Sequence, residues 1–264
     1  MKRFIIVLAC VAIGVGAGAS SALAGPGDPL GGSHTGCAPA DSVGVKCGSA
    51  LDRGLGKFSN DVIGCHVDEA GHAFQNGSAQ NGFSNAEANC EDGPSSTSAT
   101  AKFDKLATKL ALKGCDVTGA TARRDALSAP PPGAGSLNTV NGTIFCDGVD
   151  PIDADGDPAG VITTSDDVAK CEVGLSKAYR NLTYTIHKCH TKLAGYVLKG
   201  VDPTEFVAHC EGEKGLDRYN AWVAKLVATG NCPQCVIDNA TALGTQAVAE
   251  IDAQTNEIYP CPGP

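Results

Sequence analysis

Thirteen cysteines and six histidines carry most of the chemistry open to this 264-residue chain. Thiols can pair as disulfides, ligate a metal as thiolates, or work as a redox couple. Cys232-Pro233-Gln234-Cys235 has the C-x-x-C spacing that lowers a thiol pKa in thioredoxin-like enzymes, but no βαβ pattern surrounds it. Cys65-His66 and Cys189-His190 invite a haem reading, yet the C-x-x-C-H spacing of covalent attachment is missing. His187, His190 and His209 are the nearest approach to a transition-metal cluster; the plainer account is three solvated histidines at the tip of a hairpin. Asp153, Asp155 and Asp157 alternate along a short acidic run, as in calcium loops, although Pro158 stands where an EF-hand has glycine. Calcium there is the sole cofactor the sequence points to, against the plainer account of a solvated turn. No G-x-S-x-G, H-E-x-x-H or other hydrolytic frame is present.

The elements that must position these residues follow from a doubled cysteine frame. Lys46-Cys47 and Cys65-His66 are matched by Lys170-Cys171 and Cys189-His190, each pair 18 positions apart. Cys90-Glu91 matches Cys210-Glu211, and Cys115 and Cys232 close the two frames. This predicts an internal duplication. Eighteen residues make about five helical turns, so the paired cysteines share a face. Between them runs an apolar seam: Leu51, Leu55, Phe58 and Val62 in one half, Leu175, Ala178, Leu182 and Ile186 in the other. The pairs 189/210 and 171/232 both centre on Lys199-Gly200-Val201-Asp202-Pro203, a helix stop followed by a cap and a helix start. Nested pairs about one turn are what two antiparallel helices produce. The expected bridges are therefore Cys189–Cys210 and Cys171–Cys232, with Cys65–Cys90 and Cys47–Cys115 in the first half. Cys37, Cys146, Cys235 and Cys261 stay open among three pairings.

Gly48, Gly54, Gly56, Gly64 and Gly71 each cost the first helix about 1 kcal/mol relative to Ala, which two bridges can offset. The competing reading is a broken helix whose cysteines staple loops. A third helix is expected over Gln234–Glu257, with Ile237, Ala240, Leu243/Gly244, Ala247 and Ile251 on its apolar face, and a shorter one over Thr118–Leu127. A small β-hairpin around Asn141-Gly142 is expected within Leu137–Cys146. The fold class is all-α: two tandem disulfide-stapled antiparallel helical hairpins or small bundles, residues 25–128 and 164–264, the second a three-helix bundle. A Pro/Gly/Asp-rich connector, 129–163, joins them.

Residues 1–24 read as an address. Lys2 and Arg3, an apolar run from Phe4, and Ala22-Leu23-Ala24 have the order of a secretory signal peptide cleaved after Ala24. Val7-Leu8-Ala9-Cys10 loosely matches a lipid-attachment box, but the apolar run continues past Cys10, which favours cleavage without lipidation. Twelve cysteines then enter an oxidising compartment, enough for six disulfides. The formal charge of −9 and the lack of a basic cluster exclude a nucleic-acid partner. No later stretch has the length of a membrane span.

The K-C … C-H, C-E and C-P-x-C pattern, chiefly over residues 165–235, resembles a type of cysteine-rich secreted helical-repeat protein of environmental, deltaproteobacterial-type bacteria, with no established activity. The resemblance implies export and a helical architecture, and carries over no catalytic residue. The expected function is a non-enzymatic, exported binding or structural module, periplasmic or extracellular, with a protein or small-molecule partner. Its rival is a periplasmic metal-, haem- or redox-active cysteine/histidine protein.

Overall fold

A computed structural model describes residues 25–76, 86–129, 136–152, 160–163 and 165–262. Two long helices form its centre, α1 (Ser42–Asn76) and α6 (Asp166–Leu198). They lie antiparallel: Ser49 Oγ donates to the Thr191 carbonyl at 2.7 Å, Asp52 meets His187 at 2.7 Å, and Arg180 bonds Asn60. The seams named above, Leu51 to Val62 and Leu175 to Ile186, are buried and belong to one core shared by both halves of the chain. Burial of that stripe stabilises helices that isolated propensity would not.

The glycines of α1 do not break it. A Cβ on Gly48 would sit 2.2 Å from the ring of Tyr259, and one on Gly56 would sit 2.9 Å from the Cβ of His187. Glycine at these positions lets neighbours approach the helix backbone, and that packing compensates for lost propensity. The start of α6 is built differently, with the side chain of Ser165 capping Val168 N–H and Asp166 and Asp167 in the first turn.

Shorter helices flank the central pair: α2 (Ala86–Asp92), α3 (Ala99–Ala111), α4 (Thr118–Leu127) and α5 (Leu137–Ile144) in the first half. After α6 come α7 (Thr204–Val207), a π-helical segment (Ala208–Leu216), α8 (Asp217–Val227) and α9 (Gln234–Ala253). Asp202 accepts from Thr204 N–H at 2.9 Å and so starts α7. The architecture is an all-α, disulfide-stapled fold. A two-stranded ladder, β1 (Asp150–Pro151) against β2 (Val161–Ile162), is the strand pairing among the described residues beyond one isolated bridge, Pro29 with Cys37.

Six disulfides are present. Cys47–Cys115 and Cys65–Cys90 staple α1; Cys171–Cys232 and Cys189–Cys210 staple α6. Of the four cysteines left open, Cys37 joins Cys261 and Cys146 joins Cys235. The first bridge closes the amino-terminal arm, residues 25–41, onto the carboxy-terminal tail. The second ties the connector to the start of α9. Six such bridges suit an oxidising compartment. Among the described residues, no helix is long and apolar enough to cross a membrane.

Two local expectations are corrected. Leu137–Ile144 is a helix and not a hairpin, because Ser136 caps it and Leu137 and Ile144 face the core, which outweighs the turn preference of Asn141-Gly142. On α9 the inward residue is Val236, while Ile237 is 39% exposed. The Cys146–Cys235 bridge fixes the rotation of that first turn.

Candidate metal centres

The Cys65–Cys90 and Cys189–Cys210 bridges each bring a following residue with them. His66 comes to face Glu91, and His190 to face Glu211. Two buried clusters of metal-ligating side chains grow from these pairs.

In centre A, His190 is on α6, Glu211 on the π-helical segment, His34 on the amino-terminal arm and Asp252 in the last turn of α9. His34 Nε2 stands 3.1 Å from Glu211 Oε1 and 3.5 Å from Asp252 Oδ1. His190 Nε2 stands 3.3 and 3.0 Å from the same two oxygens. All four residues are buried. Their outer partners are also in place. His34 Nδ1–H donates to the Gly31 carbonyl at 2.9 Å, which fixes the ring so that Nε2 faces the two carboxylates. Ser33 Oγ donates to Asp252 Oδ2 at 2.5 Å. Asp52, bonded to His187 Nδ1 at 2.7 Å, places its other oxygen 3.8 Å from His190 Nδ1.

Centre B lies at the other end of α1. His66 and Asp52 are 14 positions apart on that helix, about 20 Å of rise. His66 Nε2 has three oxygens around it: Glu87 Oε1 at 2.8 Å, Glu91 Oε1 at 2.9 Å and Asn138 Oδ1 at 2.8 Å. Glu87 and Glu91 are one turn apart on α2, so both point the same way. Asn138 is on α5, with its amide nitrogen 3.4 Å from the Ala129 carbonyl and its oxygen turned to His66. One Nε2–H cannot serve three oxygens, and Glu87 Oε1 and Glu91 Oε1 accept no well-formed hydrogen bond. A metal ion in place of that proton would satisfy all four atoms at once.

The electrostatics of the protein residues alone call for positive charge in both places. Burial works against a charged His190, but hydrogen bonds to Asp252 and Glu211 and the Asp52 charge outweigh it and hold its pKa at about 10. His66 is held at about 9 in the same way, against burial, by Glu87 and Glu91. His34 is also raised, by Glu211 and Asp252, in the face of burial and of repulsion from His190. Burial would raise Glu211, yet His190 and His34 hold it at about 2. Glu91 goes the other way: burial, helped by Glu87, takes it to about 7 despite His66.

Of His187, His190 and His209, the transition-metal cluster read from sequence, only His190 belongs to a candidate centre. His187 supports it through Asp52. His209 is exposed and pairs with Glu213 at 2.7 Å, because the π-helical turn points it away from α6. Cys232 and Cys235 are bonded to different partners, so the C-x-x-C does not close on itself, and the six bridges leave none of the twelve described cysteines for thioether or thiolate ligation. Asp153, Asp155 and Asp157 lie outside the described residues; Asp147 accepts from Thr163 Oγ1 at 3.1 Å. Sequence reasoning took up His66 only in the haem reading and missed His34, Glu87, Glu91, Asn138, Glu211 and Asp252 as members of these clusters. The available signal was the recurrence of Cys-His and Cys-Glu, which marks two side chains per half as neighbours of one bridge. Compared with protein-family models, curated sequences and solved structures, the chain finds no match.

Proposed function

We propose that the chain is an exported, disulfide-stapled helical binding protein whose ligands are divalent metal ions, one at each centre. Export rests on residues 1–24, which have the charge, apolar and small-residue order of a leader with a cleavage site after Ala24, and on the six disulfides. The doubled cysteine frame supports a duplication in which each half carries one His–Glu pair beside its inner bridge. The single observation that carries the reading is the convergence of buried imidazole nitrogens and carboxylate oxygens in both halves. In each centre the imidazole and carboxylate ligand atoms lie within 4.8 Å of one another. Buried carboxylates are costly unless paired or bound to a metal, and these are arranged around a point rather than in separate pairs.

The side chains of centre A are closed to solvent, with His34 at 0% exposure, His190 at 1%, Asp252 at 4% and Glu211 at 6%. Side chains buried in this way suit ions held for stability or retention rather than ions presented to a substrate. The metals therefore fasten the arm, α6, the π-helical segment and α9 at one end, and α1, α2 and α5 at the other. Elemental analysis of protein purified from an oxidising compartment tests this. Two equivalents of divalent metal per chain, and a lower Tm after chelation, are expected. A chain that takes up no zinc, manganese, iron or cobalt, with a Tm indifferent to all four, would leave buried ion pairs as the explanation and end the proposal.

A further inference from the structure

The two centres differ in donor set and in spacing. We infer that they select different metals: a tetrahedral zinc ion at His34, His190, Glu211 and Asp252, and an octahedral, oxygen-preferring ion of the manganese type at His66, Glu87, Glu91 and Asn138. This rests on the reading that both are metal centres.

Donor chemistry separates them first. Centre A offers two imidazole nitrogens and two carboxylate oxygens, a set that suits zinc. Centre B offers one imidazole, two carboxylates and a neutral amide oxygen, and three oxygens to one nitrogen is the harder set. The amide is aimed: with its nitrogen toward the Ala129 carbonyl, Asn138 presents only oxygen to the centre.

Spacing separates them second. An ion holding four ligands tetrahedrally at about 2.0 Å sets them about 3.3 Å apart. An octahedral ion at about 2.1 Å sets adjacent ligands about 3.0 Å apart. In centre A the four nitrogen–oxygen separations run from 3.0 to 3.5 Å. In centre B the three separations from His66 Nε2 are 2.8, 2.8 and 2.9 Å, all short of the tetrahedral value. Four protein ligands supply all the positions of a tetrahedral ion at A, whereas an octahedral ion at B has two positions left for water or for a second oxygen of Glu87 or Glu91.

Position in the fold gives each arrangement a cause. Glu87 and Glu91 sit at i and i+4 of α2, so centre B gains two carboxylates from one element. The corresponding element of centre A is π-helical and supplies Glu211 alone. Its remaining ligands come from the arm and from α9, and they include a second imidazole.

Cobalt(II) reads the geometry in the wild-type protein, since tetrahedral cobalt absorbs visible light far more strongly than octahedral cobalt. The metal-free, disulfide-intact chain is titrated with cobalt and, separately, given one equivalent of zinc with excess manganese. Expected are one equivalent of intensely absorbing cobalt and one weak, and one zinc plus one manganese bound per chain. His34→Ala should abolish the intense bands and lower zinc affinity about tenfold or more while manganese stays. Glu87→Gln should do the reverse. Two cobalt ions of equal intensity, zinc filling both centres against excess manganese, or intense bands that survive His34→Ala would overturn the assignment while leaving metal binding intact. Uptake of no metal overturns the functional reading itself, so the two failures are distinguishable without either variant.

Discussion

The two ends of the α1–α6 pair begin from the same parts and finish differently. Each has a disulfide between a long helix and a short one, with histidine following one cysteine and glutamate following the other. At centre B the remaining ligands come from α2 itself and from α5, all within residues 66–138. At centre A they come from both chain termini: His34 and Glu211 are 177 positions apart, and His190 and Asp252 are 62 apart. The difference teaches that a bridge sets a histidine beside a glutamate by proximity, while the rest of the fold decides which other side chains join them. It also makes centre A a clasp between segments with little local support of their own, whereas centre B fastens helices already adjacent in sequence.

The largest effect should come from the carboxylates, and it should be unequal. Glu211 Oε1 faces both His34 and His190, so Glu211→Ala leaves two buried imidazoles sharing Asp252 Oδ1 alone. A loss of about 3–5 kcal/mol is expected, on the scale of breaking a buried charged pair. Glu87→Ala leaves Glu91 beside His66 and should cost about 1–3 kcal/mol. Chemical denaturation of the purified proteins measures both, and an equal or reversed order would refute the clasp argument. Next come the inner bridges. Their sequence separations, 21 for Cys189–Cys210 and 25 for Cys65–Cys90, give nearly the same loop entropy, about 2–4 kcal/mol each. Replacing both cysteines of a pair by alanine should therefore cost similar amounts in chelator and diverge in metal, with the 189/210 variant worse. Metal retained in full by either variant's own centre would show that the bridge does not position the ligands.

Much of the frame could be read from the chain because it is local. Apolar residues at helical spacing and cysteines five turns apart state their own geometry, and Gly200 to Pro203 states a turn. The centres could not be read, since no spacing links residue 34 to 211 or 66 to 138; only tertiary packing brings them together. Glu91 and Glu211 served as landmarks for aligning the halves, and their place in the buried clusters emerges only when the helices pair. The Asn141-Gly142 hairpin failed for the opposite reason. Turn propensity is a weak preference, and the cap at Ser136 with a buried face on α5 overrides it.

The residue after the outer cysteine sharpens the contrast at smaller cost. In the first half it is Gly48, covered by the Tyr259 ring; in the second it is Glu172, whose Oε1 accepts from Cys146 N–H at 3.1 Å and Asp147 N–H at 3.2 Å. Gly48→Ala must displace the buried ring and should cost about 1–3 kcal/mol. Glu172 differs in sign. Burial raises its pKa to about 7 despite the two N–H groups, with Asp147 adding to the rise. Its folded pKa is above the ordinary value of 4.5, so the native state holds the proton between these limits and loses stability as pH rises from about 4.5 through 7. Glu172→Gln keeps the acceptor and removes the charge. Its Tm should match wild type near pH 4 and exceed it by a few degrees at pH 8. A Tm difference that does not change with pH would refute the raised pKa.

The smallest effect tests where the halves ought to agree. Gly71 and Gly195 occupy equivalent places beyond the inner cysteines, one on α1 and one on α6. Among the described residues a Cβ on Gly71 meets nothing within 4 Å, and one on Gly195 meets only Val45 Cγ1 at 3.8 Å, an ordinary contact. Neither glycine is needed for close approach, unlike Gly48. Alanine at either position should then stabilise the protein by about 0.5–1 kcal/mol through helix propensity alone, and the two gains should add because the sites share no partner. Matching gains would place both helix ends under the same local rule even though the centres beside them recruit different ligands. A gain at one and a loss at the other would mean that the asymmetry of the centres extends a full turn or more beyond the bridges.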